Sequence, residues 1–336
     1  MKATPVQLSK LLLAWYKENH RDLPWRRDRD PYRIWISEVM LQQTTVAAVI
    51  PYYEKFLARF PTVQNLAQAK LESVYEQWAG LGYYSRARNL HKAAQVLAAN
   101  GFPKSAEELL QLPGFGPYTS RAVSSLAFGE QVGVLDGNVI RVLCRAYGWN
   151  TKWWNGKARA PLQTAADDIA SQGPSELLNQ GLMELGATVC TPQNPICLIC
   201  PWSQHCVALK SHQTDQIPKK RPRKKTEVWV WKLQLMTKGS GKAQKLALIP
   251  NDYAPFLKGR LIFPGSICQQ AEKPKSFDLQ HGITHHSIYI QIEKISPQNL
   301  EKIQWVASQE IKKINPSNLM QKVLQTANQK SESLPS

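Results

Sequence analysis

Two carboxylates, one group of cysteines and one glycine-rich turn are the residues of this sequence most able to do chemistry. Glu38 falls on the stripe Ile34, Trp35, Leu41, Gln42 and Thr45, spaced three and four residues apart, so a helix would turn it towards a core. A carboxyl in such surroundings resists ionisation, and its pKa should rise towards the range of a general acid. Asp136, in Val134-Leu-Asp-Gly-Asn-Val139, sits where a helix begins. Exposed N–H groups and the positive end of the helix favour its ionised form there. One carboxyl pushed towards neutrality and one held charged divide acid and anion roles, the division that glycosidic cleavage needs. Spacing alone favours the plainer readings, a buried, hydrogen-bonded Glu and a simple N-cap Asp.

Of six cysteines, Cys190, Cys197, Cys200 and Cys206 crowd into 17 residues, while Cys144 and Cys268 stand alone. Disulfide frameworks spread through small secreted chains, which a chain of 336 residues is not. The cluster therefore reads as a metal site, and four thiolates in one short loop can wrap a cubane cluster or one zinc. Zinc sites usually pair two close pairs. Here a single Cys-x2-Cys is flanked by lone cysteines, which favours iron–sulfur and leaves zinc open. Leu112-Pro-Gly-Phe-Gly-Pro-Tyr-Thr119 lies between two expected helices. Gly114 and Gly116 permit backbone angles closed to other residues, and N–H groups at the start of the Tyr118 helix would cradle a phosphate whatever the base. A plain helix connector is the alternative.

From Thr4 to about Leu209 the apolar spacing is helical. Asp30-Pro31 reads as a cap and first-turn proline opening a helix through Thr45. Further helices are expected over Lys70–Gln77, Ser85–Ala99, Ala106–Gln111, Tyr118–Phe128, Asn138–Tyr147, Ala158–Ser171 and Glu176–Gly186. Ile217-Pro-Lys-Lys-Arg-Pro-Arg-Lys-Lys225 holds six basic residues in nine, a stiff, self-repelling linker. Beyond it, Val228–Met236 and Ser287–Glu293 alternate with period two. Leu246–Ile249 and Gly259–Phe263 are further strand candidates, and Ser317–Asn328 reads as a closing helix. The formal charge of +17, with 43% apolar and 20% charged residues, excludes wholesale disorder and points to a polyanion, nucleic acid first. No apolar run approaches the roughly 20 residues of a membrane helix, and no leader is evident. A soluble, cytoplasmic, nucleoid-associated protein, monomeric and without a membrane partner, is expected.

Ser37-Glu-Val-Met-Leu-Gln-Gln-Thr44, Gly80-Leu-Gly-Tyr-Tyr-Ser-Arg-Ala-Arg-Asn89, the Leu-Pro-Gly hairpin, the Asp136 segment and the four-cysteine loop occur here in one order. Together they resemble the helix–hairpin–helix DNA glycosylases with an iron–sulfur cluster, and among them the adenine glycosylases of the MutY type. The resemblance implies one [4Fe–4S] cluster on Cys190, Cys197, Cys200 and Cys206. It also implies double-stranded DNA with adenine opposite 8-oxoguanine or guanine as partner, extrusion of the adenine, and hydrolysis of its N-glycosidic bond. Glu38 would protonate the base at N7, and Asp136 would stabilise the oxocarbenium-like sugar. Tyr118 and Asn138 match positions beside the reacting sugar, and Trp25, Arg26 and Leu41 the pocket around the flipped base. Related enzymes that also cut the strand carry a Schiff-base lysine where Tyr118 stands, so base removal alone is expected. Gln43, Thr44, Leu81 and Tyr83 match residues that fill the gap and contact the opposite base, with Tyr83 as an aromatic wedge.

The expected architecture is an all-α, two-lobed catalytic domain over residues 1–216, with its metal loop at 190–206. A linker at 217–226 leads to a C-terminal α+β, Nudix-like reader of oxoguanine at 227–329, and a tail at 330–336 closes the chain. No Nudix hydrolase signature follows Thr226, so no diphosphate hydrolysis is expected there. Ile283-Thr-His-His286 departs from the family's Phe-Ser-His recognition turn but keeps a hydroxyl in Thr284 and an imidazole in His285. No Lys or Arg lies between Cys190 and Cys206, which favours a structural role for the loop over phosphate contact. The rival readings are an endonuclease III-type glycosylase/lyase, disfavoured by Tyr118, and a non-enzymatic, zinc-stabilised DNA-binding module.

Overall fold

The helical part opens on a capping box: the Thr4 hydroxyl accepts from the Gln7 N–H, and the Gln7 side chain accepts from the Thr4 N–H, starting α1 (Pro5–Asn19). The computed structural model describes residues 4–222, 224–252, 254–298 and 301–332. Position 223 of the expected linker and 333–336 of the expected tail lie outside the described residues. The chain divides into two compact units, residues 1–69 with 85–222 and residues 70–84 with 223–336. Among the described residues no helix is long and apolar enough to cross a membrane.

In the first unit Asp30 caps α2 (Pro31–Leu41), its carboxylate accepting from the Tyr32 N–H at 2.8 Å. The helix stops before the expected Thr45, because Gln43 takes a left-handed backbone with φ 60° and Thr45 opens a new helix, α3 (Val46–Arg59). Neither α3 nor α4 (Val63–Gln68) was expected. Pro51, which reads as a stop, stands inside α3. Next come α5 (Leu71–Trp78), α6 (Tyr84–Asn100), α7 (Ala106–Leu109), α8 (Pro117–Phe128), α9 (Gly137–Tyr147), α10 (Gly156–Ala170), α11 (Ser175–Thr188) and α12 (Val207–Lys210). Of these, α5 belongs to the second unit.

Packing of these helices positions the residues of interest. Trp35 of α2 is buried and stacks on Phe115 of the glycine-rich turn, ring centroids 5.3 Å apart. Arg86 donates to the carbonyls of Val39 and Gln42 at 2.8 and 2.6 Å, closing the end of α2. One face of α9 (Val139, Ile140, Val142, Leu143) packs with Leu178, Leu182 and Leu185 of α11 and with Leu8 and Leu12 of α1. The segment leading to α9 is pinned from two sides. Asn179 accepts from the Val134 N–H at 2.9 Å, and Asp167 accepts from the Gly133 N–H at 2.7 Å.

In the second unit the first sheet runs β5-β1-β7-β6, formed by β1 (Glu227–Leu235), β5 (Gly265–Gln270), β6 (Leu279–Ile283) and β7 (His286–Lys294). Strand β1 is parallel to β7 and antiparallel to β5. A second sheet joins β2 (Thr237–Lys238), β3 (Lys245–Pro250), β4 (Leu261–Ile262) and β8 (Gln304–Ala307). Alternate residues Trp231, Leu233 and Leu235 of β1 enter a core with Ile288, Ile290 and Ile292 of β7. Helix α14 (Asn318–Glu332) adds Leu319, Met320 and Val323 to that core, after the short α13 (Ile311–Ile314). Residues 70–84 join this unit as α5 packs on α13. There the Arg260 guanidinium lies 3.5 Å over the Tyr75 ring. Strands β2, β5, β6 and β8 were not expected; they are short or mostly exposed and lack the apolar alternation of β1 and β7.

Two glycines fix how closely helices approach. A Cβ on Gly133 would stand 2.2 Å from the Ala166 backbone, and one on Gly186 would stand 2.6 Å from the Asn138 Cβ. Gly133→Ala is expected to lower unfolding free energy by about 3 kcal/mol and Gly186→Ala by about 2 kcal/mol. Gly156→Ala, whose Cβ would meet open space, should stay within about 0.5 kcal/mol. Urea midpoints of the three variants check the ranking; equal midpoints would contradict it.

Candidate active site

The end of α2, the starts of α8 and α9 and the middle of α11 enclose a cavity of about 670 Å³ in the first unit. Glu38, Tyr118, Asp136 and Asn138 all line it. The Tyr118 hydroxyl donates to Glu38 Oε2 at 2.5 Å. Burial pushes the Glu38 carboxyl up to about 7, the Tyr118 hydrogen bond opposes that shift, and the nearby Asp136 reinforces it. Asp136 is the N-cap of α9. Its Oδ1 accepts from the Val139 N–H at 2.7 Å and its Oδ2 from Asn138 Nδ2 at 3.0 Å. The expectation that Asp136 would be shifted opposite to Glu38 is corrected here. Burial raises Asp136 above the ordinary carboxylate value, although these hydrogen bonds and Arg141 pull it down. The helix start supplies the expected donors, but the carboxylate at the head of α9 is buried, and desolvation outweighs them.

Trp25, Arg26 and Leu41 line the same cavity. Arg26 is held by a residue that sequence reasoning missed. Glu184, with its side chain fully enclosed, accepts from Arg26 at 2.8 Å and from Arg21 Nε at 2.6 Å. Burial works against its charge, yet the two guanidinium hydrogen bonds hold it below the usual carboxylate range. Leu182, Leu185 and Glu184 lie on one amphipathic helix, and the fold buries a position that the pattern left indistinct. Arg141 was also missed. It bridges Asn138 Oδ1 (2.8 Å) to the carbonyls of Gly186 (2.8 Å) and Cys190 (2.7 Å), tying the Asp136 cap to the start of the cysteine loop.

Gln43, Thr44, Gly114 and Gly116 complete the cavity rim. Gly114 needs its glycine, with φ 80° and the Asn89 side chain 2.7 Å from a Cβ. Gly116 does not use the angles expected of it. It is an extended N-cap of α8 at φ −97°, and a Cβ there would meet open space. What it supplies is a helix start without a side-chain cap, leaving the Tyr118 and Thr119 N–H groups for a ligand. Leu81, Tyr83, Thr284 and His285 belong to the second unit. Leu81 is buried, whereas Tyr83 is 46% exposed at φ 47°. Thr284 and His285 form the two-residue turn between β6 and β7, with Thr284 at φ 56°.

Cys190, Cys197, Cys200 and Cys206 form no disulfide and line one small, separate cavity with Arg145, Val189 and Pro195. Buried Arg145 donates to Cys190 Sγ at 3.4 Å and to the Thr191 carbonyl at 2.7 Å. Four cysteines lining one cavity beside a buried guanidinium fit an anionic metal–thiolate group. The outer face of the loop is apolar, with Leu198 98% exposed.

The model of the HhH-GPD superfamily of base excision DNA repair proteins matches residues 36–165. The adenine DNA glycosylase of Homo sapiens is 45% identical over 218 residues, which cover 61% of this chain and 40% of that protein. That of Buchnera aphidicola subsp. Baizongia pistaciae is 39% identical over 239 residues, covering 69% of this chain and 68% of that protein. The chain thus spans less than half the length of its human relative and about two thirds of the bacterial one. Among solved structures, a thermostable thymine-DNA glycosylase superposes with a TM-score of 0.55 at 30% identity, over 61% of this chain and 95% of that one. The segment matched by the family model carries Glu38, Tyr118, Asp136 and Asn138, so family and cavity coincide in the same residues: the chain belongs to the HhH-GPD superfamily of base excision DNA repair proteins and, within it, to the adenine DNA glycosylases.

Proposed function

We propose that this chain removes adenine mispaired with 8-oxoguanine or guanine in duplex DNA, hydrolysing the N-glycosidic bond without cutting the strand. One observation carries the proposal: Glu38, pushed up to about 7, and Asp136 line a single cavity large enough for an extruded base. Glu38 donates its proton to N7, so the base departs neutral, and the Tyr118 hydroxyl fixes the carboxyl that does so. Asp136 stabilises positive charge on the sugar, Asn138 orients its second oxygen, and water adds to the sugar carbon as the Glu38 carboxylate takes back a proton. Trp25, Arg26 and Leu41 surround the base, with Arg26 held in place by Glu184.

Tyr118 offers no amine for a Schiff base, which supports base removal alone. The uncapped start of α8 receives a backbone phosphate, and Gln43, Thr44, Leu81 and Tyr83 contact the opposite strand. Cys190, Cys197, Cys200 and Cys206 hold one [4Fe–4S] cluster, whose contribution is to cross-link the loop that also anchors Arg141. The C-terminal unit is a Nudix-like reader in which Thr284 and His285 discriminate oxoguanine, and the protein works at the chromosome in the cytoplasm.

Duplexes carrying adenine opposite oxoguanine, guanine and thymine test this reading in parallel. The first two should give alkali-labile abasic sites and no incision without alkali. Borohydride-trapped adduct, or no base release, would overturn it. Asp136→Asn should slow single-turnover base release by about 10²–10⁴-fold while mispair binding is retained; near-normal turnover would refute its role. Because Glu38 must be protonated, the rate should fall as pH rises through about 7. Because Asp136 must be ionised, the rate should also fall on acidification, at a higher pH than an ordinary aspartate would give. A single-turnover pH profile checks both limbs, and Glu38→Gln should erase the alkaline one.

A further inference from the structure

In the second unit, the pairing of strands β1 and β7 and the turn before β7 bring one carboxylate and two imidazoles together. Glu227 opens β1, His286 opens β7, and the two are register partners. The Glu227 N–H donates to the His285 carbonyl at 2.8 Å, fastening the turn to β1. Glu227 Oε1 lies 3.5 Å from His285 Nε2, and Glu227 Oε2 lies 3.0 Å from His286 Nδ1. One ligand atom from each residue falls within 4.8 Å of the others. We propose that Glu227, His285 and His286 form a binding site for a divalent transition-metal cation of the zinc class.

Lone-pair directions support a cation between these groups. The Thr284 hydroxyl donates to the Ile283 carbonyl at 2.7 Å, so it faces His285 Nδ1, 3.3 Å away, as an acceptor. In a neutral imidazole that places the hydrogen on Nδ1 and leaves the Nε2 lone pair towards the Glu227 carboxylate. His286 Nδ1 is buried without a hydrogen-bond partner, on a side chain only 10% exposed. It sits at 3.0 Å from a carboxylate oxygen but out of line for a hydrogen bond. The two imidazole rings lie tilted by 37° with centroids 4.1 Å apart, a spacing at which two imidazolium charges repel, whereas one metal takes both rings neutral. Trp229 Nε1 donates to Glu227 Oε2 at 3.0 Å and orients the carboxylate.

Two nitrogens and one oxygen suit zinc, cobalt or nickel rather than magnesium or calcium. In a tetrahedral site with bonds of about 2.0–2.1 Å, ligand atoms stand about 3.4 Å apart, so small side-chain rotations close the set. Thr284, a β-branched residue at φ 56°, is a strained turn position that such an ion would hold. The site does not depend on the reaction proposed for the first unit, but it shares His285 with the proposed oxoguanine turn: the metal takes Nε2, facing Glu227, and leaves the Thr284 side of the turn for the base.

The test uses the full chain with its cysteine loop occupied as isolated, titrated with cobalt(II) and then zinc. The expected result, read in difference spectra, is one equivalent of cobalt with d–d bands of tetrahedral strength and no thiolate charge-transfer absorption, displaced by zinc but not by magnesium. Glu227→Gln and His286→Asn should each weaken zinc binding at least about 10-fold by calorimetry, with near-UV circular dichroism confirming the fold. His285→Asn, at a partly exposed turn position, provides the same readout if either strand variant unfolds. Absence of metal uptake, thiolate bands, or zinc affinity unchanged in these variants would each overturn the proposal.

Discussion

The hydrogen bond between Tyr118 and Glu38 exists because two helices 80 residues apart in sequence meet along a buried seam. Trp35 stacked on Phe115 brings α2 against the hairpin that starts α8, and Arg86 closes the far end of α2. The carboxyl is thereby held among apolar neighbours with a hydroxyl as partner, and desolvation rather than charge pairing governs its proton affinity. Asp136 depends on the same cavity. Asn179 and Asp167 pin the segment before it, Gly133 and Gly186 let the surrounding backbone close in, and Arg141 ties its cap to the loop at Cys190.

Much of this arrangement is legible in the amino-acid pattern because it is local. The Asp30-Pro31 start of α2, the stripe bearing Glu38 and the Asp136 cap each follow from a few neighbouring residues. What escapes is set at a distance. Glu184 is a functional neighbour only because Arg21 and Arg26, more than 150 positions away, fold onto it. The direction of the Asp136 shift escapes for the same reason: the cap is visible in sequence, whereas the desolvation comes from α2, α8 and α11. Helix α3 was hidden by Pro51, and the end of α2 by a left-handed Gln43 that no local propensity specifies.

The second unit was legible where burial is one-sided. Strands β1 and β7 alternate and lie at the centre of their sheet, so their period shows. Strands β5 and β6 are its outer members and contain no fully buried residue, leaving little pattern to read. Gln43, Tyr83 and Thr284 share a trait invisible to pattern reading: each is a non-glycine residue with a left-handed backbone, and each was singled out from sequence on other grounds. Strain of this kind persists only where surrounding structure over-determines it.

Glu38 also sets a limit on how this protein can be made robust. Its carboxyl prefers to be charged in the unfolded chain and neutral in the folded one, so the native lobe weakens as pH rises from 4.5 towards about 7. The accumulated handicap is on the order of 3 kcal/mol. A selection for heat tolerance alone, run in neutral or alkaline broth, would therefore drift towards uncharged side chains at that position. Its winners would be hardy and chemically inert.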